Sequence, residues 1–146
     1  MNAKPHLTVA TVVCKADKFL MVRERSNGQL VYNQPAGHVE AGESIVDAAV
    51  RETLEETAWE VEVTDYLGIY QHTSAENGIS YARHCFVAAP VAHRSDLILD
   101  ADIEAALWLD RAEIENLQEQ LRSPMVLRAI EDFSLGIRFP LTVFRP

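Results

Sequence analysis

The sequence predicts an α/β (α+β) fold, a mixed sheet between helices, and three observations carry that reading. Apolar, β-branched runs recur through the chain, from TVATVV near the start to IEAALWL from residue 103. One helical stretch follows Ser44, with Asp47 three residues later in the manner of a capping box. Asn77-Gly78 sits between two β-like runs, the pairing that marks a tight hairpin. Strands therefore dominate, with one early helix and two late ones, which suits helices packed on both sides of a sheet.

Taken in order, residues 7–14 read as a first strand. A turn over 15–18 leads to a second strand at 19–23, and Asn27-Gly28 marks a loop. Residues 31–34 form a short strand running into Pro35-Ala36-Gly37. The helix starts near Ile45 and stops near Thr57. Residues 60–63 and 67–73 read as strands, and 79–89 as the far arm of the hairpin. A strand over 103–109 and a helix over 110–120 follow. Ser123-Pro124 opens a last helix to about Leu135, with proline at the first helical position, where its missing N–H costs nothing.

The chain has 146 residues, 48% of them hydrophobic, enough for one domain over 1–146 with a real core. It shows no internal repeat and no linker. The start lacks the basic-then-apolar pattern of a signal peptide, and no apolar run approaches a membrane span. Cys14 and Cys85 lie apart in β-like segments and read as buried thiols. A cytoplasmic location is the expectation. The net charge of −9, with Lys and Arg scattered and no basic run, would repel a long polyanion such as DNA unless the fold gathers a basic patch. Small phosphorylated molecules are easier to accommodate.

The most informative stretch is GHVEAGESIVDAAVRETLEETAW, residues 37–59. On a helix at about 100° per residue, Ile45, Ala48, Ala49, Glu52, Glu55 and Glu56 share one side. Val46, Val50 and Leu54 share the other and offer a stripe for the core. Glu52 and Glu56 stand one turn apart with no lysine to offset them, so they repel by roughly 0.2–0.5 kcal/mol. Several carboxylates aimed at one point suit a hard divalent cation such as Mg²⁺, which commonly bridges carboxylates to substrate phosphates.

These residues resemble the Nudix box, G-x5-E-x7-R-E-U-x-E-E-x-G-U with U apolar. Gly37, Glu43, Arg51, Glu52, Glu55 and Glu56 all match its spacing. Thr53 departs from the usual apolar residue and Ala58 from the last glycine, while Trp59 fits the final apolar position. Beyond the box, KPHLTVATVV, KFLMV, YNQPAGHVEAGES and LRSPMV resemble the NudJ-type phosphatase subfamily.

The resemblance implies a Nudix-type α/β/α sandwich with a mixed sheet. It implies metal ligands at Gly37 (through its carbonyl), Glu52, Glu55 and Glu56, and catalytic roles for Glu55, Glu56, Arg51 and Glu43. The last two would form a salt bridge holding the loop against the helix, a job that suits a planar guanidinium. A further acid outside the box is expected at Asp102, with Glu104 as the second candidate, both shortly before Trp108. Arg83, His38 and His72 are the expected substrate-binding residues. Tyr70, Tyr81, Asn33 and Gln34 are weaker candidates, explained as well by packing or turn chemistry.

The activity so implied is Mg²⁺-dependent hydrolysis, with Mn²⁺ as a substitute, of nucleoside di- and triphosphates, thiamine diphosphate and hydroxymethylpyrimidine diphosphate, releasing orthophosphate. The alternatives are a Nudix pyrophosphohydrolase of ADP-ribose, a dinucleoside polyphosphate or an oxidised nucleotide, and a non-catalytic nucleotide-sensing module. The expected partners are the small phosphorylated substrate, no nucleic acid and no membrane, in a monomer or small homo-oligomer.

Overall fold

A computed structural model describes residues 3–146. Strands β1 (His6–Lys15), β2 (Lys18–Ser26), β3 (Gln29–Asn33) and β4 (Ala36–His38) come first, then helix α1 (Ile45–Thr57). Strands β5 (Trp59–Thr73), β6 (Ser80–His93) and β7 (Ile103–Asp110) follow, then helices α2 (Arg111–Asn116) and α3 (Met125–Ser134). The strands form one seven-stranded sheet in the order β3-β2-β1-β6-β5, with β4 on β1 and β7 on β2. β1 runs parallel to β6, and the other pairs are antiparallel, so the sheet is mixed as expected.

Alternation along the strands divides the core. Val9 and Phe86 face α1 and pack with Ala48 and Ala49. Val12, Cys85 and Val87 face the opposite way and pack with Met125, Val126, Ala129 and Ile130 of α3. The sheet is thus sandwiched. Cys14 and Cys85 are both free. Among the described residues, no helix is long and apolar enough to cross a membrane.

α1 has the expected bounds, and the Ser44 hydroxyl accepts the Asp47 amide at 3.0 Å. Its faces differ from expectation. Val46, Val50 and Leu54 are only half-buried, while Ala48, Ala49, Thr53, Glu56 and Thr57 are buried. Small side chains let the helix lie close on the sheet, and that close approach brings the carboxylates of the same side to the sheet's edge. Thr53, the departure from the box, is fully buried and gives its proton to the Ala49 carbonyl at 2.7 Å. Its oxygen then accepts from Thr11 of β1 at 2.8 Å, so the hydroxyl is satisfied without an apolar partner.

The helix ends on Ala58 at φ 62°, ψ 16°, a left-handed cap whose amide returns to the Leu54 carbonyl. The two strands expected at 60–63 and 67–73 are one strand, β5, carried through by bulges near Val61, Asp65 and Gly68. The helix expected over 110–120 is shorter, six residues of α2 and then a 3-10 turn over Gln118–Gln120. The predicted hairpin joins β5 to β6, closed by the Ser74 amide on the Ile79 carbonyl at 2.9 Å.

Candidate active site

Arg51 organises the box. Its Nε and Nη2 donate to both oxygens of Glu43 at 2.6 and 2.9 Å, a bidentate pair spanning eight residues. Nη2 also reaches the His38 carbonyl at 3.0 Å, which ties the loop after β4 to the helix. Nη1 donates to Glu52 at 2.9 Å and Glu55 at 3.1 Å. One cation therefore offsets the repulsion among these acids, the role a lysine would fill on an ordinary acidic helix. The hydrogen bond from Arg51 holds Glu43 below the usual carboxylate range.

Glu52, Glu55 and Asp100 each offer an oxygen within 4.8 Å of the others. Three carboxylates at that separation fit a hard divalent cation. Gly37 belongs to the same construction, because a Cβ there would fall inside the Glu52 carboxylate. Burial pushes Glu52 up despite its bond to Arg51.

Glu56 lies deeper, outside that trio, and accepts the Ala36 amide at 2.8 Å. Burial pushes its carboxyl up to about 8, with Glu24 and Glu52 adding repulsion. A buried carboxylate among other acids is a group that a bound cation would hold in its charged form.

The acid that lies beside Glu52 and Glu55 is Asp100, and Asp102 is not in that cluster. The last carbonyls of α1 lack helical partners, and the loop before β7 supplies them: the Arg94 amide meets the Ala58 carbonyl at 2.7 Å and the Asp100 amide the Glu55 carbonyl at 3.1 Å. That docking carries the Asp100 carboxylate to Glu52 and Glu55. The Asp102 backbone is instead engaged by Arg25 of β2, and Glu104 pairs with Arg25 in solvent.

A cleft of about 560 Å³ opens beside the carboxylates. Glu52, Glu56, Gly37, His38, His72, Tyr81 and Arg83 line it. Arg83 is 3% exposed and donates to Asn33 Oδ1 at 2.7 Å and Gln34 Oε1 at 3.2 Å. Its hydrogen-bond partners are neutral amides, and burial pulls its guanidinium below the ordinary value. Gln34 is itself anchored on the Val126 carbonyl at 2.8 Å. His38 Nε2 lies 2.9 Å from His6 Nδ1. Tyr70 points away from the cleft, into the α3 core, and donates to Asp132 at 2.5 Å.

Two groups in the cleft escaped sequence reasoning. Glu24 of β2 is buried, and Arg122 donates to it at 2.6 Å. The signal for Glu24 was a charge inside the RER run of an otherwise apolar strand. Arg122 lies in LRSPMV, a segment noted for its resemblance but given no role.

The NUDIX domain profile matches residues 4–129 of this chain. Phosphatase NudJ of Escherichia coli strain K12 is 37% identical over 138 residues, covering 94% of this chain and 89% of that protein. A solved NUDIX hydrolase from Nitrosomonas europaea superposes with a TM-score of 0.96 at 42% identity, covering 98% of this chain and 97% of that one. A UDP-X diphosphatase shares the fold at a TM-score of 0.74 and 18% identity, over 95% of this chain and 67% of that one.

The chain belongs to the NUDIX family. It is a Nudix hydrolase, an enzyme acting on phosphoanhydride bonds.

Proposed function

We propose that this enzyme is a Mg²⁺-dependent hydrolase of small organic di- and triphosphates that releases orthophosphate, with Mn²⁺ able to substitute. Nucleoside di- and triphosphates, thiamine diphosphate and hydroxymethylpyrimidine diphosphate are the substrates to try first. One observation carries the reading: Glu52 and Glu56 share a single cleft with the buried guanidinium of Arg83. Such a cleft accepts metal-bound phosphates on one wall and a phosphate oxygen on another. The 37% identity to a protein named as a phosphatase supports terminal cleavage.

Glu52, Glu55, Glu56 and Asp100, with the Gly37 carbonyl, are the groups to hold the metal. Asp100 replaces Asp102 in that set because its carboxylate is the one beside Glu52 and Glu55. A bound divalent cation polarises phosphoryl oxygens and lowers the pKa of water. Glu55, half-exposed beside Glu52 and Asp100, would take the proton of the attacking water, a role its exposure supports. Arg51 fixes the direction in which Glu52 and Glu55 point, and Glu43 fixes Arg51. Arg83 binds a phosphate oxygen, and His38 and His72 bound the path to the rest of the substrate. The catalytic unit spans 1–146 and works in the cytoplasm.

A panel of diphosphates and triphosphates in Mg²⁺, scored separately for orthophosphate and pyrophosphate, tests the reading. Orthophosphate from several chemically unrelated diphosphates supports it. Turnover confined to ADP-ribose, a dinucleoside polyphosphate or an oxidised nucleotide, with cleavage inside the chain, replaces it with the pyrophosphohydrolase reading.

A further inference from the structure

The cleft meets an anionic substrate with an acidic wall. Five carboxylates line it, those of Glu24, Glu40, Glu52, Glu56 and Glu76, against two guanidiniums, Arg83 and Arg122. Arg83 is 3% exposed, and its Nη1 and Nη2 each already donate once, to Gln34 and Asn33, which leaves it less to offer a ligand. Arg122 differs. Its side chain is 40% exposed, against 10% for the Glu24 carboxylate it meets, and only Nη1 is engaged. Among the described residues, its Nε and Nη2 have no protein partner. Of the two guanidiniums, Arg122 is therefore the more accessible.

The ion pair is not needed to dock its own segment. The Arg122 amide already donates to the Tyr32 carbonyl at 2.8 Å, and Leu121 forms a parallel bridge with Tyr32. Gln34 holds the Val126 carbonyl just beyond. A half-exposed pair contributes little to stability, and burying the Glu24 carboxylate works against it. The pair has a different use: it aims the guanidinium. Glu24 accepts from Nη1 and leaves the remaining donors of a planar fork for a ligand, the arrangement that suits bidentate binding of phosphate.

We propose that Arg122 is a substrate-binding residue that grips a phosphate of the bound diphosphate, and that Glu24 is the positioning residue that holds Arg122 toward the cleft. This rests on the hydrolase reading above.

The test is titration calorimetry of methylenediphosphonate, a diphosphate that cannot be hydrolysed, into the Mg²⁺-loaded protein, beside steady-state kinetics on a good substrate. R122Q is expected to weaken the diphosphonate by about tenfold and to raise KM by a similar factor with kcat nearly kept, the pattern of binding lost equally in ground and transition states. R122K, which keeps the charge but loses the fork, should fall between, and it carries the test should R122Q not fold. E24Q leaves the guanidinium in the cleft and is expected to weaken the diphosphonate by less than R122Q does. Wild-type affinity in R122Q and R122K overturns the proposal. So do equal losses in R122Q and E24Q accompanied by equal falls in Tm, because that is a structural pair. A wild-type protein that neither binds the diphosphonate nor hydrolyses any diphosphate overturns the hydrolase reading itself, a result distinct from both.

Discussion

The Glu52 carboxylate occupies the space where residue 37 would carry a Cβ. Gly37 therefore does more than turn the chain: its bare backbone sets how near Glu52 comes to β4. Gly37→Ala must push Glu52 aside while leaving the core, which lies elsewhere, untouched. Metal affinity and turnover should fall by roughly 10–100-fold, the scale seen when a ligand's support is disturbed, with little change in Tm. Calorimetric titration of Mn²⁺ and a melting curve check both halves.

Glu56 gives a pH signature. Its carboxyl titrates at about 8 in the metal-free fold, against roughly 4.3 in an unfolded chain. Between those values the native state holds a proton that the unfolded state has lost, so stability declines as pH rises. Metal-free protein should melt at a lower temperature at pH 8.5 than at pH 5.5. Glu52, also raised, adds a contribution of the same sign. Glu56→Gln should flatten the slope in part. Mg²⁺ requires the charged carboxylate, so the gain in Tm that it confers should grow with pH. Turnover by Glu56→Gln should fall by more than the roughly 10–100-fold typical of a merely supporting residue.

Ala58 holds a left-handed conformation that penalises a Cβ by about 1–2 kcal/mol. Ala58→Gly relieves that penalty but loses a methyl group that is only 3% exposed, and it adds chain entropy to the unfolded state. The net should be a small rise, about 1–3 °C in Tm by calorimetry. A fall would mean that the methyl contributes more than the strain costs.

The two buried threonines form a cycle. Thr53→Val leaves the Thr11 hydroxyl buried without an acceptor and should destabilise by about 1–3 kcal/mol. The double variant Thr11→Val with Thr53→Val removes both partners and should recover much of that loss. Denaturant melts of the two single variants and the double one measure the coupling directly.

What the sequence revealed about the site was local in origin. The box residues lie on one helix and its entry loop, so helical spacing puts Glu52, Glu55 and Glu56 on one side, while the Arg51–Glu43 pair was implied by the resemblance to the box. The start of α1 was legible from Ser44 and Asp47 for the same reason. Asp100 was not legible, because it reaches the site through the backbone pairing of a loop with the C-terminal end of α1, and nothing in the spacing of DLILDAD favours one aspartate over another. Arg83 and Arg122 acquire meaning only from partners 49 and 98 residues away in sequence. The faces of α1 were misjudged for a physical reason. Hydrophobicity alone selects Val46, Val50 and Leu54 for the core, but alanine and threonine pack closer to the sheet, and the helix needs that approach to deliver its carboxylates.

The proposed activity has a metal, held by these carboxylates, drive removal of a terminal phosphate. Phosphorus NMR of a GTP digest, run with Mg²⁺ and again with EDTA, tests it most directly. The account predicts orthophosphate and GDP first, then GMP, with all turnover abolished by EDTA and restored by excess Mg²⁺. Pyrophosphate with GMP as the first products would contradict terminal cleavage, and unchanged hydrolysis in EDTA would contradict the metal site itself.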